Sequence, residues 1–581
     1  MPETASVTWQ DGVLRSAQYG DIYFSQEGGL AESRAVFLQG CGLPDAWQGR
    51  KRFTVAELGF GTGLNIAALL DLWSRTRPKD GALHIFSVEA HPMAREDAAR
   101  ALAGSPEIAD AAQALLSVWP GVRRGFHRME LPAFGAILDL AVMEVGEALE
   151  QWQGAADAWF LDGFSPAANP AMWREEVISL VAARSAPGAR LATFTVAGAV
   201  RRGLEAHRFE VARKPGYGRK RERLEARLPG HSADPTAPGR IAIVGGGIGG
   251  AALSRAFAAL GAPAEVLAGD SHGASGNPAA LVSPGLDASG RARARFYAAA
   301  FSRAVQLYEQ IPDAVIASGA ALIETEERDP RRLAAVARQD VFEPGSFRRL
   351  DPQEAADWLD EAPGSAGMLL ANALVIDPAK AHAAWLGEAA RTATVERIEA
   401  RNGGWRLHLT GAAVLDAEIV VIAAGWGAAS LLPDLPVQPI RGQASWARIA
   451  EPPRAASFGG YAIPTREGVL FGSTHDRDDT GCDLRPEDHA RNLAAIAGVR
   501  PRLAGRIDPQ TLSGRAAIRA STADQMPVVG ELAPGLYVFS GLGSRGFTTA
   551  PLLAEHLAAL ICGAPSPLPA DICHLAEPSR L

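Results

Sequence analysis

The chain reads as two α/β domains in tandem, the first built around a mainly parallel sheet with helices on both faces, the second a nucleotide-binding fold with an inserted mixed subdomain. Three observations predict this. Two glycine-rich turns, VAELGFGTGLN at Val55–Asn65 and IAIVGGGIGG at Ile241–Gly250, each contain or follow a short apolar run and open a helical pattern. Between them, PGHSADPTAPGR (Pro229–Arg240) is rich in proline, glycine and small polar residues and reads as a linker. Before that linker, strand-like and helix-like runs alternate, as in a parallel sheet covered by helices. The domains are therefore placed at residues 1–234 and 235–581.

In the first domain, FTVAELGF (53–60), LHIFSVEA (83–90), AWFLDGF (158–164) and ARLATFTV (189–196) are predicted strands, each a short apolar run. LNIAALLDLWSR (64–75) and Ala94–Leu102 are predicted helices. In the second domain, the strand–turn–helix of Ile241–Leu267 starts a new nucleotide fold. Later strands AEIVVIAAG (417–425) and GLYVFSGLG (535–543) are separated from it by long helical and β-rich stretches, so an inserted, mixed substrate subdomain is expected.

With 581 residues, large cores are within reach, and 47% apolar against 21% charged residues is ordinary for a soluble globular protein. Cys41, Cys482, Cys562 and Cys573 are scattered without a CxxC pair, which argues against a disulfide framework or a thiolate zinc site; no metal is expected. The first residues carry acids and no apolar core of a secretory signal, and no run of 18 apolar residues suggests a membrane span. A cytoplasmic monomer is expected. The net charge of −8 excludes a globally basic nucleic-acid binder but leaves room for a local basic face.

In the first turn, Gly59, Gly61 and Gly63 sit between strand and helix, where a ligand can lie against the backbone and meet helix N-terminal amides. Glu57 precedes the turn. Glu89 ends the next strand, where an acid binds ribose hydroxyls in nucleotide folds. The pattern resembles class I S-adenosyl-L-methionine-dependent methyltransferases. That resemblance implies a Rossmann-like methyltransferase fold with S-adenosyl-L-methionine as co-substrate. A later strand ends on Asp162, in DAWFLDGFSPAANPAMW (157–173), and breaks at Gly163 and two prolines. A carboxylate at the lip of an apolar strand is paired, solvated or used. An ammonium must shed a proton before it attacks a methyl group, and Asp162 is placed to orient or deprotonate such an acceptor. The alternative is an aspartate that caps a turn.

LDGFSPAANPAMW, with VRRGLEAHRFEVARKPGYGRKRE downstream, resembles the methyltransferase half of the MnmC family, the bifunctional tRNA 5-methylaminomethyl-2-thiouridine biosynthesis proteins, from about Tyr19 to Leu228. The chain departs from the family at Met143-Glu144, where Gly-Asp is more usual; the resemblance puts Glu144 against the adenine ring. Arg201–Arg227 holds ten Lys/Arg and four Glu, with Phe209 and Tyr217 interleaved. It is either a solvated helix and hairpin face or a phosphate-contacting surface using Arg201, Arg202, Arg219, Lys220 and Arg221. The resemblance implies a tRNA anticodon stem-loop as partner.

The second turn holds G-x-G-x-x-G as Gly245, Gly247 and Gly250, in the strand–helix context that the dinucleotide fingerprint requires. Asp270 lies too far past the next strand to serve as its ribose acid. Three features favour FAD over NAD: the loop SHGASGNPAALVSP (271–284), with Ser275, Gly276 and Asn277; the strand IVVIAAGWGA (419–428), ending at Gly425; and GLYVFSGLGSRGFTTAPLLAEHLA (535–558), with Gly541, Gly543 and Gly546 leading into a helix. These resemble the D-amino-acid and glycine oxidase class, whose chemistry moves a hydride from an amine-bearing carbon to flavin. No His or Cys attachment signal is evident, so FAD is expected to be non-covalent. Substrates of that class carry a carboxylate, for which an arginine fork is the natural anchor. RASTADQMPVVG (519–530) resembles the corresponding string of that class, with Ala520 in place of proline; this makes Arg519 the first candidate, Arg545 the second and Arg441 the third. GASGN, THDRDDT (474–480) and GLGSRGFTTAPL resemble the oxidoreductase half of the MnmC family, so the resemblance spans nearly the whole chain.

That resemblance implies FAD-dependent removal of a carboxymethyl group from 5-carboxymethylaminomethyl(-2-thio)uridine, then methylation of the resulting amine. Two other readings stay open on the residues alone: a small-molecule amine oxidase fused to an N-methyltransferase, and a protein with one inactive half serving as a tRNA-binding scaffold.

Overall fold

The computed structural model describes residues 4–10, 12–24, 28–218, 220–234, 238–269, 273–325 and 330–581. Two compact units emerge: Met1–Thr236 with Gly563–Ala570, and Ala237–Cys562 with Asp571–Leu581. A single cut between residues 234 and 235 thus differs from this division chiefly in the segment Gly563–Ala570. Arg128 Nη2 and Gln153 Nε2 donate to the carbonyls of Pro565 and Leu568, which ties that segment into the first unit.

The first unit holds an eight-stranded sheet in the order Gly125–Leu131, Ala136–Val142, Ala82–Val88, Arg52–Leu58, Ala156–Leu161, Ser185–Thr193, Glu222–Arg227, Glu210–Pro215. The five middle strands run parallel, and antiparallel strands close both edges. The middle strands are apolar along most of their length because both sheet faces are covered. Trp47, Trp73 and Phe160 pack on one face; Phe86, Trp152 and Trp159 pack on the other. The four predicted strands and both predicted helices of this unit occur, with ends shifted by a few residues.

The second unit opens on a six-stranded sheet ordered Ala390–Thr392, Glu265–Ala268, Ile241–Val244, Ile419–Ile422, Leu536–Ser540, Val528–Ala533, parallel except for the last pair. A ten-stranded sheet forms the inserted subdomain, its longest strand Gln438–Arg448 pairing with Ser513–Ser521 along nine residue pairs. A three-stranded sheet, Val395–Arg401, Gly404–Leu409 and Val414–Ala417, completes the unit. Among the described residues no helix is long and apolar enough to cross a membrane.

Candidate functional sites

In the first unit, the turn Gly59–Gly63 joins the strand Arg52–Leu58 to the helix Leu64–Thr76. That strand lies between Ala82–Val88 and Ala156–Leu161, so Glu89 and Asp162 leave the carboxyl ends of its two neighbours. Open α/β sheets collect ligands at this edge. Gly59 has φ +95°, and a Cβ there would meet the Asp162 carbonyl oxygen at 2.6 Å, so the turn passes beneath Asp162 only as glycine.

The carboxylates form a linked set. Glu57 is fully buried; its Oε2 accepts from Ser87 Oγ at 2.6 Å and its Oε1 from Asn65 Nδ2 at 3.1 Å. The same Asn65 Nδ2 donates to Asp162 Oδ2 at 2.7 Å, and the Gly163 amide donates to Asp162 Oδ1 at 2.9 Å. Glu89 accepts from the amides of Gly61 and His91, both at 3.0 Å. No lysine or arginine among the described residues forms an ion pair with any of the three. Burial pushes Glu57 up to about 8 and Asp162 up to about 6, and raises Glu89 as well. Phe164 is flanked by Tyr19 at 4.7 Å and Tyr23 at 5.2 Å between ring centroids. The Tyr19 hydroxyl is raised by burial and then by the charges of Glu144 and Glu89. Glu144 is exposed and precedes the helix Val145–Gln151 without capping it.

In the second unit, a cavity of about 860 Å³ is lined by Gly245 and Gly247 of the first turn, Ser275 and Asn277 of the following loop, and Gly425. Gly541, Gly543 and Gly546 line it from the carboxyl-terminal turn. Gly245 has φ +117°, and a Cβ there would strike the Ala423 carbonyl oxygen at 2.5 Å. Ser275 Oγ accepts from the Ile248 amide at 3.1 Å, at the start of the helix Ile248–Ala259. Two predicted cofactor glycines are not among the lining residues. Gly250 packs on the turn, where a Cβ would meet the Gly245 carbonyl oxygen at 1.8 Å, and Gly276 sits against the Arg515 guanidinium.

Of the candidate anchors, Arg519 lines this cavity and an adjoining one of about 100 Å³. Its Nη2 donates to Ser473 Oγ at 2.5 Å and its Nη1 to the Thr474 carbonyl at a long 3.5 Å, and it has no carboxylate partner among the described residues. Burial lowers its pKa, against the nearby Tyr461. Arg545 lines both cavities too; it is exposed and lies 5.6 Å from the Tyr297 ring centroid. Arg441 is different. It is fully buried, paired with Asp488 at 2.5 Å, and donates to Gly481 O, Asp483 O and Gln443 Oε1. Its guanidinium is consumed in holding the loop 481–483 and is unavailable to a substrate.

A family model described as an S-adenosyl-L-methionine-dependent methyltransferase matches residues 106–229, and one described as an FAD dependent oxidoreductase matches residues 240–560. Over 577 residues the chain is 57% identical to the tRNA 5-methylaminomethyl-2-thiouridine biosynthesis bifunctional protein MnmC of Caulobacter vibrioides, covering 99% of this chain and 97% of that one. The chain belongs to the MnmC family. A relative of the same description from Maricaulis maris is 42% identical over 97% of this chain and 93% of its own. Among solved structures, iminodiacetate oxidase from Chelativorans sp. BNC1 superposes with TM-score 0.50 at 21% identity, covering 58% of this chain and all of that one; it supports the fold of the oxidoreductase half.

The two cofactors that MnmC membership implies fit the residues present. A buried set of carboxylates without a cationic partner suits a ligand carrying a sulfonium, an ammonium and ribose hydroxyls. A glycine-walled cavity opening on a helix amino end suits a dinucleotide. The described residues contain no cluster of three or more His, Cys, Asp or Glu poised to hold a metal.

The basic segment folds into the helix Gly198–Ala206 and the hairpin Glu210–Pro215 and Glu222–Arg227. Arg201 pairs with Glu205, and Lys220 pairs with Glu32 at 2.8 Å while lying 4.2 Å over the Phe194 ring. Arg202 and Arg221 are exposed without a carboxylate partner among the described residues; Arg219 lies outside them. The interleaved aromatics face inward: Phe209 is core, and Tyr217 packs against the opposite core. Sequence reasoning missed Asn65, although it directly follows the glycine turn, and Arg515. Arg515 precedes Arg519 by four residues on one strand, lines the same cavity and has a buried Nη1 without a hydrogen-bond partner.

Proposed function

We propose that the chain performs two consecutive steps on a tRNA wobble uridine. The first is FAD-dependent removal of the carboxymethyl group from 5-carboxymethylaminomethyl(-2-thio)uridine. The second is S-adenosyl-L-methionine-dependent N-methylation of the 5-aminomethyl product to 5-methylaminomethyl(-2-thio)uridine. Residues 1–234 are assigned the methyltransferase step and residues 235–581 the oxidoreductase step. The observation that carries this reading is the pair of sites whose ionisable groups lack an ion-pair partner among the described residues: Arg519 facing a glycine-walled cavity, and the carboxyl groups of Glu57, Glu89 and Asp162 around a glycine turn. The relatives, similar over their full length and described as acting in tRNA modification, weigh against a small-molecule oxidase fusion.

In the first step Arg519 holds the substrate carboxylate, with Arg545 at the rim. The carboxymethyl carbon loses a hydride and the nitrogen its proton; water adds to the resulting C=N bond, which breaks to glyoxylate and a primary amine. FAD, bound non-covalently along Gly245, Gly247, Ser275, Asn277, Gly425, Gly541, Gly543 and Gly546, supplies the hydride acceptor. In the second step Asp162 takes the proton from the ammonium and aims the free amine; S-adenosyl-L-methionine supplies the methyl group. Glu57, Gly59, Gly61, Gly63, Glu89 and Glu144 are assigned to that donor. Arg201, Arg202, Arg219, Lys220 and Arg221 are assigned to tRNA phosphates, and the protein to the cytoplasm as a monomer.

Nucleoside mass spectrometry tests the whole scheme. With carboxymethylaminomethyl tRNA, FAD and donor, the full chain should yield the methylaminomethyl nucleoside, and without donor the aminomethyl nucleoside. Accumulation of neither would overturn the proposal.

A further inference from the structure

We propose that Asn65 is a positioning residue that ties the acceptor-side carboxylate, Asp162, to the donor-side carboxylate, Glu57, by giving one amide hydrogen to each. The inference rests on the assignment of Asp162 as the group that orients the acceptor amine.

Asn65 is the second residue of the helix Leu64–Thr76, and asparagine is a poor helix former there unless its side chain has other work. The residue is 8% exposed. Its Nδ2 stands 3.1 Å from Glu57 Oε1 and 2.7 Å from Asp162 Oδ2. Two carboxylate oxygens accept there, so the amide nitrogen with its two hydrogens must face them both. Apart from Asn65, the one hydrogen-bond donor to Asp162 among the described residues is the Gly163 amide of the very next residue, which does not tie the carboxylate to another element of the donor pocket. Asn65 alone therefore fixes the Asp162 carboxylate relative to Glu57.

The link survives a proton on Glu57. The short 2.6 Å contact to Ser87 Oγ lets Glu57 Oε2 carry the proton and donate it to the serine, while Oε1 keeps accepting from Asn65. Around Asp162 stand Glu57 on the neighbouring strand, Glu89 beyond it, Glu32 of the helix Gly29–Ser33 and Lys220 of the hairpin turn. Of these only Lys220 favours the ionised form, and it is already paired with Glu32. Donation from Asn65 is thus the main near contact from another element that keeps Asp162 ionised against burial.

The test uses the full-length protein and tRNA carrying the primary amine, with saturating donor, and measures single-turnover methyl transfer between pH 5 and pH 9. Asn65→Leu keeps the side-chain volume and removes both donors. The rising limb of the profile should move up by about one pH unit, so that transfer is about five-fold slower near pH 6 and converges on the parent by pH 9, with donor affinity weakened less than the rate. Asn65→Asp, which adds a like charge, should move the limb further. If Asn65→Leu does not fold, Asn65→Ser, which is shorter and has one hydrogen to give instead of two, reads the same limb. An unmoved limb, whether the rate is unchanged or uniformly lower, overturns the proposal. If Asp162→Asn leaves transfer intact, the assignment of Asp162 fails instead.

Discussion

Replacing Arg519 with methionine should cripple the oxidoreductase step while leaving FAD in place. The guanidinium offers five N–H donors. Two are engaged, by Ser473 Oγ and weakly by the Thr474 carbonyl, which leaves three without a partner among the described residues. A carboxylate held by a fork of this kind inside a walled cavity forms two charge-assisted hydrogen bonds. Truncating one partner of such a buried pair costs about 2–5 kcal/mol. Taking about 3 kcal/mol, at 1.36 kcal/mol per decade, the expected loss in kcat/KM is roughly 150-fold. Lysine should not rescue it, because a point charge lacks the planar fork. The assay is anaerobic bleaching of the flavin by carboxymethylaminomethyl tRNA, with the flavin spectrum as the control for cofactor loading. A substrate analogue lacking the carboxylate should lose almost nothing on the same substitution. A kcat/KM within two-fold of the parent, or an equal loss with the analogue, refutes Arg519 as the anchor.

Asp162→Asn should keep donor affinity but lower methyl transfer at neutral pH by about 10²–10⁴-fold, measured by transfer of labelled methyl; unchanged turnover would remove Asp162 from the mechanism. Glu57 has a folded pKa of about 8, above its ordinary 4.5, so its contribution to stability is complete below pH 4.5 and lost as pH rises toward 8. Glu57→Gln should therefore raise the unfolding temperature of donor-free protein at pH 8 and not at pH 4.5, while weakening donor binding; equal shifts at both pH values would contradict a buried, protonated Glu57. Gly247→Val should yield colourless protein that still methylates a pre-formed primary amine, and loss of both activities would break the two-module picture. Lys220→Glu with Arg221→Glu should weaken tRNA binding and reduce the salt slope by about two; an unchanged slope would make the hairpin an ordinary solvated face.

Four of the five middle strands were legible because each holds a contiguous apolar run covered on both sides, three of them ended by Gly59, Glu89 or Asp162; Ala136–Val142 was not read as a strand. The edge hairpin was not legible either. Glu210–Pro215 is exposed along nearly its whole length, and its pairing with Glu222–Arg227 rather than any apolar pattern makes it a strand. The sequence left that basic segment open between a solvated face and a phosphate-contacting surface; Phe209 within it is anchored in the core, where a 3.6-residue or two-residue period is hard to read through so many charges. Both glycine turns could be read from spacing, since close backbone approach demands glycine locally. The groups that complete the sites could not. Asn65 meets Asp162 across 97 positions, and Arg441 is neutralised by Asp488 across 47, so neither relation has a local signature. Arg441 and Arg519 look alike in sequence as arginines on β-rich segments; only the presence or absence of a distant carboxylate separates a structural cation from one available to a ligand.

On the proposed chemistry, the opposite charges of the two sites set the order of the steps. The starting nucleoside carries both an amine and a carboxylate. It suits the cavity where Arg519 has no carboxylate partner among the described residues. Beside a Glu57 that burial keeps protonated near neutral pH, the methyl-transfer site presents Glu89 and Asp162 within one small region, with Glu32 and Glu144 beyond them. A substrate carboxylate brought to roughly 7 Å from one of these, at an effective dielectric near 20, is repelled by about 2 kcal/mol, and by more where several acids act together. Removing the carboxymethyl group deletes that repulsion and leaves only a cation, which the same acids attract. The first reaction therefore converts a ligand that the acidic site rejects into one that it holds, and the sequence of reactions is enforced by charge without any contact having to distinguish the two nucleosides by shape.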